Sequence, residues 1–313
     1  MSVSFGLDTS NYTTSAALYD SGNGKYVNSR RLLEVDAGNV GLRQSDALFK
    51  HIKNLPEIVR SAFSDNKKKI DAVGVSDRPR SAPGSYMPCF LAGVSSATAV
   101  AAATGKPIYM FSHQSGHIAA ALLSSGHTEL LNEQFISFHV SGGTTEALLV
   151  TRDKDTFFRA DIIGRSLDLK MGQAVDRVGN MLGLPFPAGK YLDKLSLEGT
   201  LPAKPRVTLR DTDCCISGLQ NQAENLLKKG ALPSEVALYT ITYLKDTLDK
   251  MTAALKVKYG DLPFVFAGGV MSNSIIRRHM TSKYGAYFAS PELSGDNAVG
   301  IAFMTDVKFN ENR

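Results

Sequence analysis

The segment Val3-Ser-Phe-Gly-Leu-Asp8, followed by Thr9-Ser-Asn-Tyr-Thr13 and then Thr14-Ser-Ala-Ala-Leu-Tyr19, decides the fold. An apolar run of strand length, a polar turn and a second apolar run predict a hairpin with a hydroxyl-rich tip. The pattern returns later. Phe135-Ile-Ser-Phe-His-Val140 leads into Ser141-Gly-Gly-Thr-Thr145 and then Ala147-Leu-Leu-Val-Thr151. Thr13-Thr-Ser-Ala16 lines up with Thr144-Thr-Glu-Ala147. A repeat of domain size implies two similar halves rather than a solenoid.

Outward from the hairpins the chain alternates. Helical apolar spacing covers 46–61, 92–103, 166–182, 219–228 and 236–258, and short strands are expected at 71–75, 107–111 and 263–266. Strands interleaved with helices of this length predict an α/β architecture. Residues 79–84 and 200–212 read as loops. No linker or low-complexity tract separates the halves, so they are expected to pack around a cleft. Residues 1–112, joined by a returning helix at 297–313, form the expected first lobe, and 113–296 the second.

Composition narrows the class. The 313 residues are 43% hydrophobic and 21% charged, which excludes wholesale disorder. Cys89 and the adjacent Cys214 and Cys215 are the only cysteines, with no Cys-x-x-Cys pair, so neither a disulfide framework nor a cysteine zinc site is expected. The start lacks a basic segment and a long apolar run, which reads as cytoplasmic. A net charge of +5 permits a polyanionic partner such as RNA without requiring one. The densest basic run, Lys67-Lys68-Lys69, reads first as a solvated loop.

Four stretches carry candidate chemistry. His113-Gln-Ser-Gly-His117 follows a strand, and Ser112 is placed to cap a helix there. Imidazoles four apart on a helix share a face and can reach one divalent ion, and the alternative is two polar residues at a helix start. Asp296, before the apolar run 298–304, is the best third donor by character, or else a plain helix cap. Ser141, Gly142, Gly143, Thr144 and Thr145 form a turn whose amides and hydroxyls suit an oxyanion, or an ordinary hairpin turn. In 166–182, Leu167, Met171, Ala174, Val175 and Val178 make a buried face, with Asp168, Gly172 and Asp176 on the adjacent stripe. There a glycine between two acids suggests a ligand's close approach, or helix packing with solvated acids. Finally, a strand ends at Gly268-Gly269 and a helix capped by Ser272 or Asn273 follows, a geometry suited to a flat nucleoside. No G-x-G-x-x-G, P-loop or G-x-S-x-G motif is present.

Taken in order these pieces resemble the TsaD family of tRNA threonylcarbamoyladenosine synthases. The resemblance runs nearly end to end through Gly6-Leu-Asp-Thr-Ser10, His51-x-x-x-Leu55-Pro-x-Ile58, His113-x-x-Gly-His117 and Val140-Ser-Gly-Gly-x-Thr145. It continues through Leu167-Asp168, Gly172-x-Ala-x-Asp176, Leu182-Gly-Leu-x-Phe-Pro187-x-Gly189, Ser217-Gly-Leu219, Ala267-Gly-Gly-Val-x-x-Asn273 and Asp296-Asn-Ala. It implies a two-lobed actin/hexokinase/Hsp70-like ATPase-type fold with duplicated ribonuclease-H-like halves. It implies His113, His117 and Asp296 as ligands of one divalent metal, iron or zinc. It assigns 141–145 to the phosphate and threonylcarbamoyl end, and Asp176, Gly189, Asp193 and Asn273 to the nucleoside. ATP, AMP or threonylcarbamoyl-AMP is then the ligand, tRNA the acceptor, and other proteins of the same pathway are partners.

The chain departs from the family pattern at defined places. Tyr12-Thr13 stand for Asp-Glu, Ser115 for the glutamate between the histidines, and Thr144 for a histidine. Asp168-Leu-Lys-Met-Gly-Gln173 stands for Asp-Asp-Ala-Ala-Gly-Glu, and Gln220 for a lysine. Two readings follow: a threonylcarbamoyl transferase acting on tRNA adenosine, or a paralogue that binds nucleotide and scaffolds the modification complex. A metallopeptidase lacks the glutamate general base it would need beside the histidine pair.

Overall fold

The computed structural model describes residues 1–10, 12–34, 42–64, 69–293 and 298–313. The chain divides into two units. The first comprises Met1–Thr128, Arg152–Arg159 and Glu292–Arg313, and the second Glu129–Thr151 and Ala160–Pro291.

In the first unit, β1 (Val3–Asp8) is buried along its whole length. It pairs antiparallel with β2 (Thr13–Asp20), Asp8 opposite Ser15, and β2 pairs antiparallel with β3 (Lys25–Leu32). Helix α1 (Gln44–Phe63) leads to β4 (Ala72–Arg78), then α2 (Phe90–Thr104), β5 (Ile108–Ser112) and α3 (His113–Ser125). β4 joins β1, and β5 joins β4, both in parallel, giving the sheet order β3-β2-β1-β4-β5. Phe5, Leu7, Leu18, Val73 and Val75 pack with Leu55, Ile58 and Ala97 of the helices to form its core.

The second unit repeats this plan. β6 (Phe135–Val140) pairs antiparallel with β7 (Thr145–Asp153), Val140 opposite Thr145, and β8 (Phe157–Arg165) follows on the outer side. Then come α4 (Met171–Met181), α5 (Gly189–Ser196), the short antiparallel pair β9 (Thr208–Arg210) and β10 (Asp213–Cys215), α6 (Gly218–Lys228) and the long α7 (Pro233–Tyr259). β11 (Phe264–Ala267), α8 (Ser274–Tyr284) and β12 (Tyr287–Phe288) complete a sheet ordered β12-β11-β6-β7-β8, with β11 parallel to both neighbours. Phe138 stacks on Phe266, which stacks on Phe288, binding the three strands through their rings.

The last helix, α9 (Ala298–Glu311), returns to the first unit and packs on β1, β2, β4 and α3. Gly300 makes this possible, because a Cβ there would occupy the place of the Gly116 carbonyl of α3. No helix among the described residues is long and apolar enough to cross a membrane.

Several expectations need correction. Helix α3 belongs to the first unit, not the second, because it packs on α9. Helix α4 starts at Met171 rather than 166. The preceding residues pair instead with β10: Ser166 bridges Cys214, and the Leu167 amide donates to the Cys214 carbonyl. Leu167 is consequently exposed, not part of the buried face. β9 lies inside the stretch read as a loop, and the edge strand β3 carries too few buried residues to show an apolar pattern. Asp296, Lys67 and Lys68 lie outside the described residues.

Candidate functional site

The second unit holds a cavity of about 480 Å³, within the range of small-molecule sites. Its lining comes from four places in the sequence: Gly142 after β6, residues between Gly172 and Asp193 on and between α4 and α5, Ile241 of α7, and residues between Gly269 and Asn273 after β11. Two glycines let the backbone segments around it approach one another. Gly172 opens α4 directly against the 141–144 turn, where a Cβ would stand 2.5 Å from the Gly142 nitrogen, and its amide donates to the Ser141 carbonyl. Gly268 has φ +103°, and a Cβ there would collide with the Val140 carbonyl. Gly142, Gly143 and Gly269 have open space where a Cβ would be, and Gly142 and Gly269 line the cavity with backbone alone.

The turn is closed on itself. The Ser141 amide donates to the Thr144 carbonyl at 2.8 Å, and the Thr144 amide donates to Ser141 Oγ at 3.1 Å. Thr145 is buried, and its hydroxyl accepts from the Met171 amide, so it anchors the start of α4.

The polar side of the cavity is made by acids and an amide. Asp176 Oδ1 accepts from the Ala188 amide at 2.9 Å, which fixes the 187–189 loop beside Gly189. Asp193 Oδ1 accepts from Asn273 Nδ2 at 2.6 Å and from the Ser274 hydroxyl. Burial raises the Asp193 pKa more than the hydrogen bonds from Ser274 lower it. Asn273 in turn caps α8 by accepting from the Ile275 and Ile276 amides. Lys190, Pro187 and Ile241 complete the lining. Sequence reading reached Pro187 only as part of the 182–189 motif and passed over Lys190 and Ile241, although Lys190 stands only one residue beyond Gly189.

Asp168 is not part of this cavity's lining. Its carboxylate accepts from the Leu169, Ile216 and Ser217 amides and from the Ser217 hydroxyl at 2.6 Å. Burial acts to raise its pKa, but these hydrogen bonds outweigh it and hold the group below the ordinary range. The expected stripe with Gly172 and Asp176 is absent because Asp168 precedes the helix. Burial pushes the neighbouring Cys214 thiol up to about 12, so no thiolate nucleophile is available there.

In the first unit, β5 delivers the chain to His113 at the start of α3. Ser112 caps that helix by accepting from the Ser115 amide. Ser115 is buried with its hydroxyl bonded to Ser112, so the residue at the family's glutamate position belongs to the cap. The His113 and His117 rings meet edge to face at 4.7 Å. Asp8 lies beside His113, its two oxygens 3.3 and 3.2 Å from Nδ1. Burial disfavours its charge, but His113, Ser76 and Ser10 outweigh this and hold its pKa low. Sequence reading missed Asp8 as a site residue, since its partners are distant in the chain. Among the described residues no three His, Cys, Asp or Glu side chains converge as a ligand set. Two half-buried imidazoles on one helix turn nevertheless fit a borderline cation such as zinc or iron. Tyr12 and Thr13 sit at the β1–β2 turn, where the Tyr12 carbonyl accepts from Leu33 and the Thr13 amide donates to Ser10.

Residues 37–303 match the model of the family described as TsaD, tRNA N6-adenosine threonylcarbamoyltransferase. The chain belongs to this family. A tRNA N6-adenosine threonylcarbamoyltransferase of Geotalea uraniireducens is 30% identical, over 90% of this chain and 83% of its own. One from a Sulfurihydrogenibium species is 30% identical, over 99% and 91%. Among solved structures, component A of the Acidaminococcus fermentans (R)-2-hydroxyglutaryl-CoA dehydratase superposes with TM-score 0.57 at 15% identity, covering 99% of this chain and 100% of that one. A ROK family glucokinase from Streptomyces griseus superposes with TM-score 0.52 at 12% identity, covering 97% and 98%. These neighbours show the fold: this TsaD-family chain has the actin/hexokinase-like ATPase architecture, with its two sheets built on one plan.

Proposed function

We propose that the chain transfers a threonylcarbamoyl group from threonylcarbamoyl-AMP to N6 of adenosine in tRNA. The observation that supports this best is the cavity. Its lining combines glycine backbone at Gly142, Gly172 and Gly269 with the polar side chains of Asp176, Asp193 and Asn273, a combination suited to a flat nucleoside with two ribose hydroxyls. Carboxylates accept from ribose hydroxyls, and in this reading the Gly142 and Gly143 amides meet the anionic acyl-phosphate end, since the Ser141 and Thr144 amides bond within the turn.

In this reading His113, His117 and Asp296 hold one divalent metal, iron or zinc. Bound there, it supplies Lewis acidity to the carbamoyl carbonyl. The protein's own contribution is to hold the adenylate in the cavity and to keep the reacting carbonyl oriented, so that attack by the adenosine amine forms the new C–N bond and AMP leaves. Tyr12, Thr13 and Ser115 occupy the family's acidic positions, so the reading assigns no side-chain general base and expects slow turnover. The net charge of +5 suits a tRNA acceptor, and other proteins of the pathway are its expected partners.

The test is incubation of the metal-loaded protein with threonylcarbamoyl-AMP and tRNA, followed by mass spectrometry of the digested nucleosides. Threonylcarbamoyladenosine formation lost in His113→Ala is the expected result. Tight adenylate binding without any modified nucleoside would overturn the transferase reading.

A further inference from the structure

We propose that Asp8 is a positioning residue of the cation site: it holds His113 through Nδ1, so that Nε2 is the nitrogen presented to the metal. This rests on the reading above that His113 and His117 bind the cation.

An acid stands at the end of a strand that is otherwise core. Asp8 ends β1, and its relative exposure is only 2%. The strand before it is apolar core, and a carboxylate at such a site is costly unless several donors compensate it. Here they do. Ser10 donates its hydroxyl to Oδ2 at 2.8 Å, and Ser76 of β4 donates its hydroxyl to Oδ1. The His113 ring nitrogen Nδ1 straddles both oxygens at 3.2 and 3.3 Å. Asp8 thus ties β1 and β4 to the first residue of α3.

Two roles are open to such a carboxylate, ligand or orienter, and the geometry separates them. A ligand would have to turn an oxygen away from the hydroxyls of Ser10 and Ser76 and from the ring it already meets. Among the described residues Asp8 does not converge with His113 and His117 as a three-donor set. An orienter needs only what is present. With both oxygens already accepting hydroxyl protons, the contact to Nδ1 is satisfied when that nitrogen carries the imidazole proton. A neutral ring protonated at Nδ1 has its lone pair on Nε2, the atom that a cation then takes. Phe90 packs against the His113 ring at a 6.1 Å centroid distance, edge to face, and helps to hold its plane.

The experiment uses the full chain and zinc alone, with affinity read by competition against a chromophoric chelator. Asp8→Asn preserves the shape of the side chain and removes its charge. The expected result is zinc affinity weakened about 10- to 100-fold, as for other outer partners of metal-bound histidines. His117→Ala, measured beside it, should abolish zinc binding. If His117→Ala loses zinc while Asp8→Asn keeps wild-type affinity, the positioning role is overturned and the cation site stands. If His117→Ala itself keeps zinc at full affinity, the cation site falls, and this proposal with it. A second measurement is independent of whether Asp8→Asn folds. Nitrogen-15 spectra of the metal-free, unsubstituted protein should show His113 protonated at Nδ1, and an Nε2-protonated ring would refute the proposal.

Discussion

The Asp193 carboxyl sits half-buried beside Asn273 and Ser274, and burial raises its pKa more than the Ser274 hydrogen bonds lower it. A carboxyl whose folded-state pKa lies above its unfolded value destabilises the fold while charged, and the cost disappears as the pH falls through the raised value. Asp193→Asn should therefore keep its Tm at pH 7 or gain up to about 2 °C, and wild type should close that gap on acidification. The same change should weaken AMP binding about tenfold, since a charged acceptor to the ribose is lost. Calorimetric titration with AMP and thermal scans across pH check both halves. Gly172→Ala tests the glycine backbone of the same cavity. Alanine would favour the helix by about 1 kcal/mol, but forcing a Cβ into the Ser141–Gly142 backbone should cost about 1–3 kcal/mol. The clash wins, so both Tm and AMP affinity should fall.

At the scale of elements, α7 and α8 are joined by one acid. Asp249 on α7 accepts from His279, Lys283 and Tyr284 on α8. Burial opposes its charge, yet the hydrogen bonds from Lys283, His279 and Tyr284 outweigh this and hold its pKa below the ordinary range. The stability it supplies is present above the unfolded pKa of about 3.9 and is lost as the pH falls through the depressed folded value. Asp249→Asn should cost up to about 1 kcal/mol, or about 2–4 °C of Tm at pH 7, and the difference should vanish in acid scans. Elements are also where sequence and structure part company. The paired hairpins were legible because β1, β2, β6 and β7 are apolar runs broken by short polar turns. The start of α4 was not, because Ser166, Leu167 and Asp168 take partners from 214–217, a pairing that no local window contains. The cavity was legible at Gly142, Gly172, Asp176 and Asn273, where glycines and acids stand at turns and helix starts. Asp8 was hidden because Ser76 and His113 come to it from elsewhere in the chain.

At the scale of the molecule, the second unit is continuous apart from the tip of the β7–β8 hairpin, whereas the first gathers both ends of the chain. Helix α9 lies on β1 so closely that a Cβ on Gly6 would collide with the Ala298 carbonyl. Gly300→Val would drive a branched side chain into the α3 backbone, and it should lower Tm by well over 4 °C, a cost at the high end for a single substitution. Thermal scans of that variant should report the loss while AMP affinity at low temperature stays within about twofold, since additivity holds for distant sites. The arrangement also sets a schedule for synthesis. Chains usually acquire structure from the amino end as they emerge from the ribosome. Here β1 precedes α9 in chain order by almost three hundred residues, so Phe5 and Leu7 can be covered by α1 and α2 early, whereas the Gly6 side of the strand waits for α9. The second unit, made in between, is free to settle beforehand, so for that side of β1 the order of synthesis and the order of burial run in opposite directions.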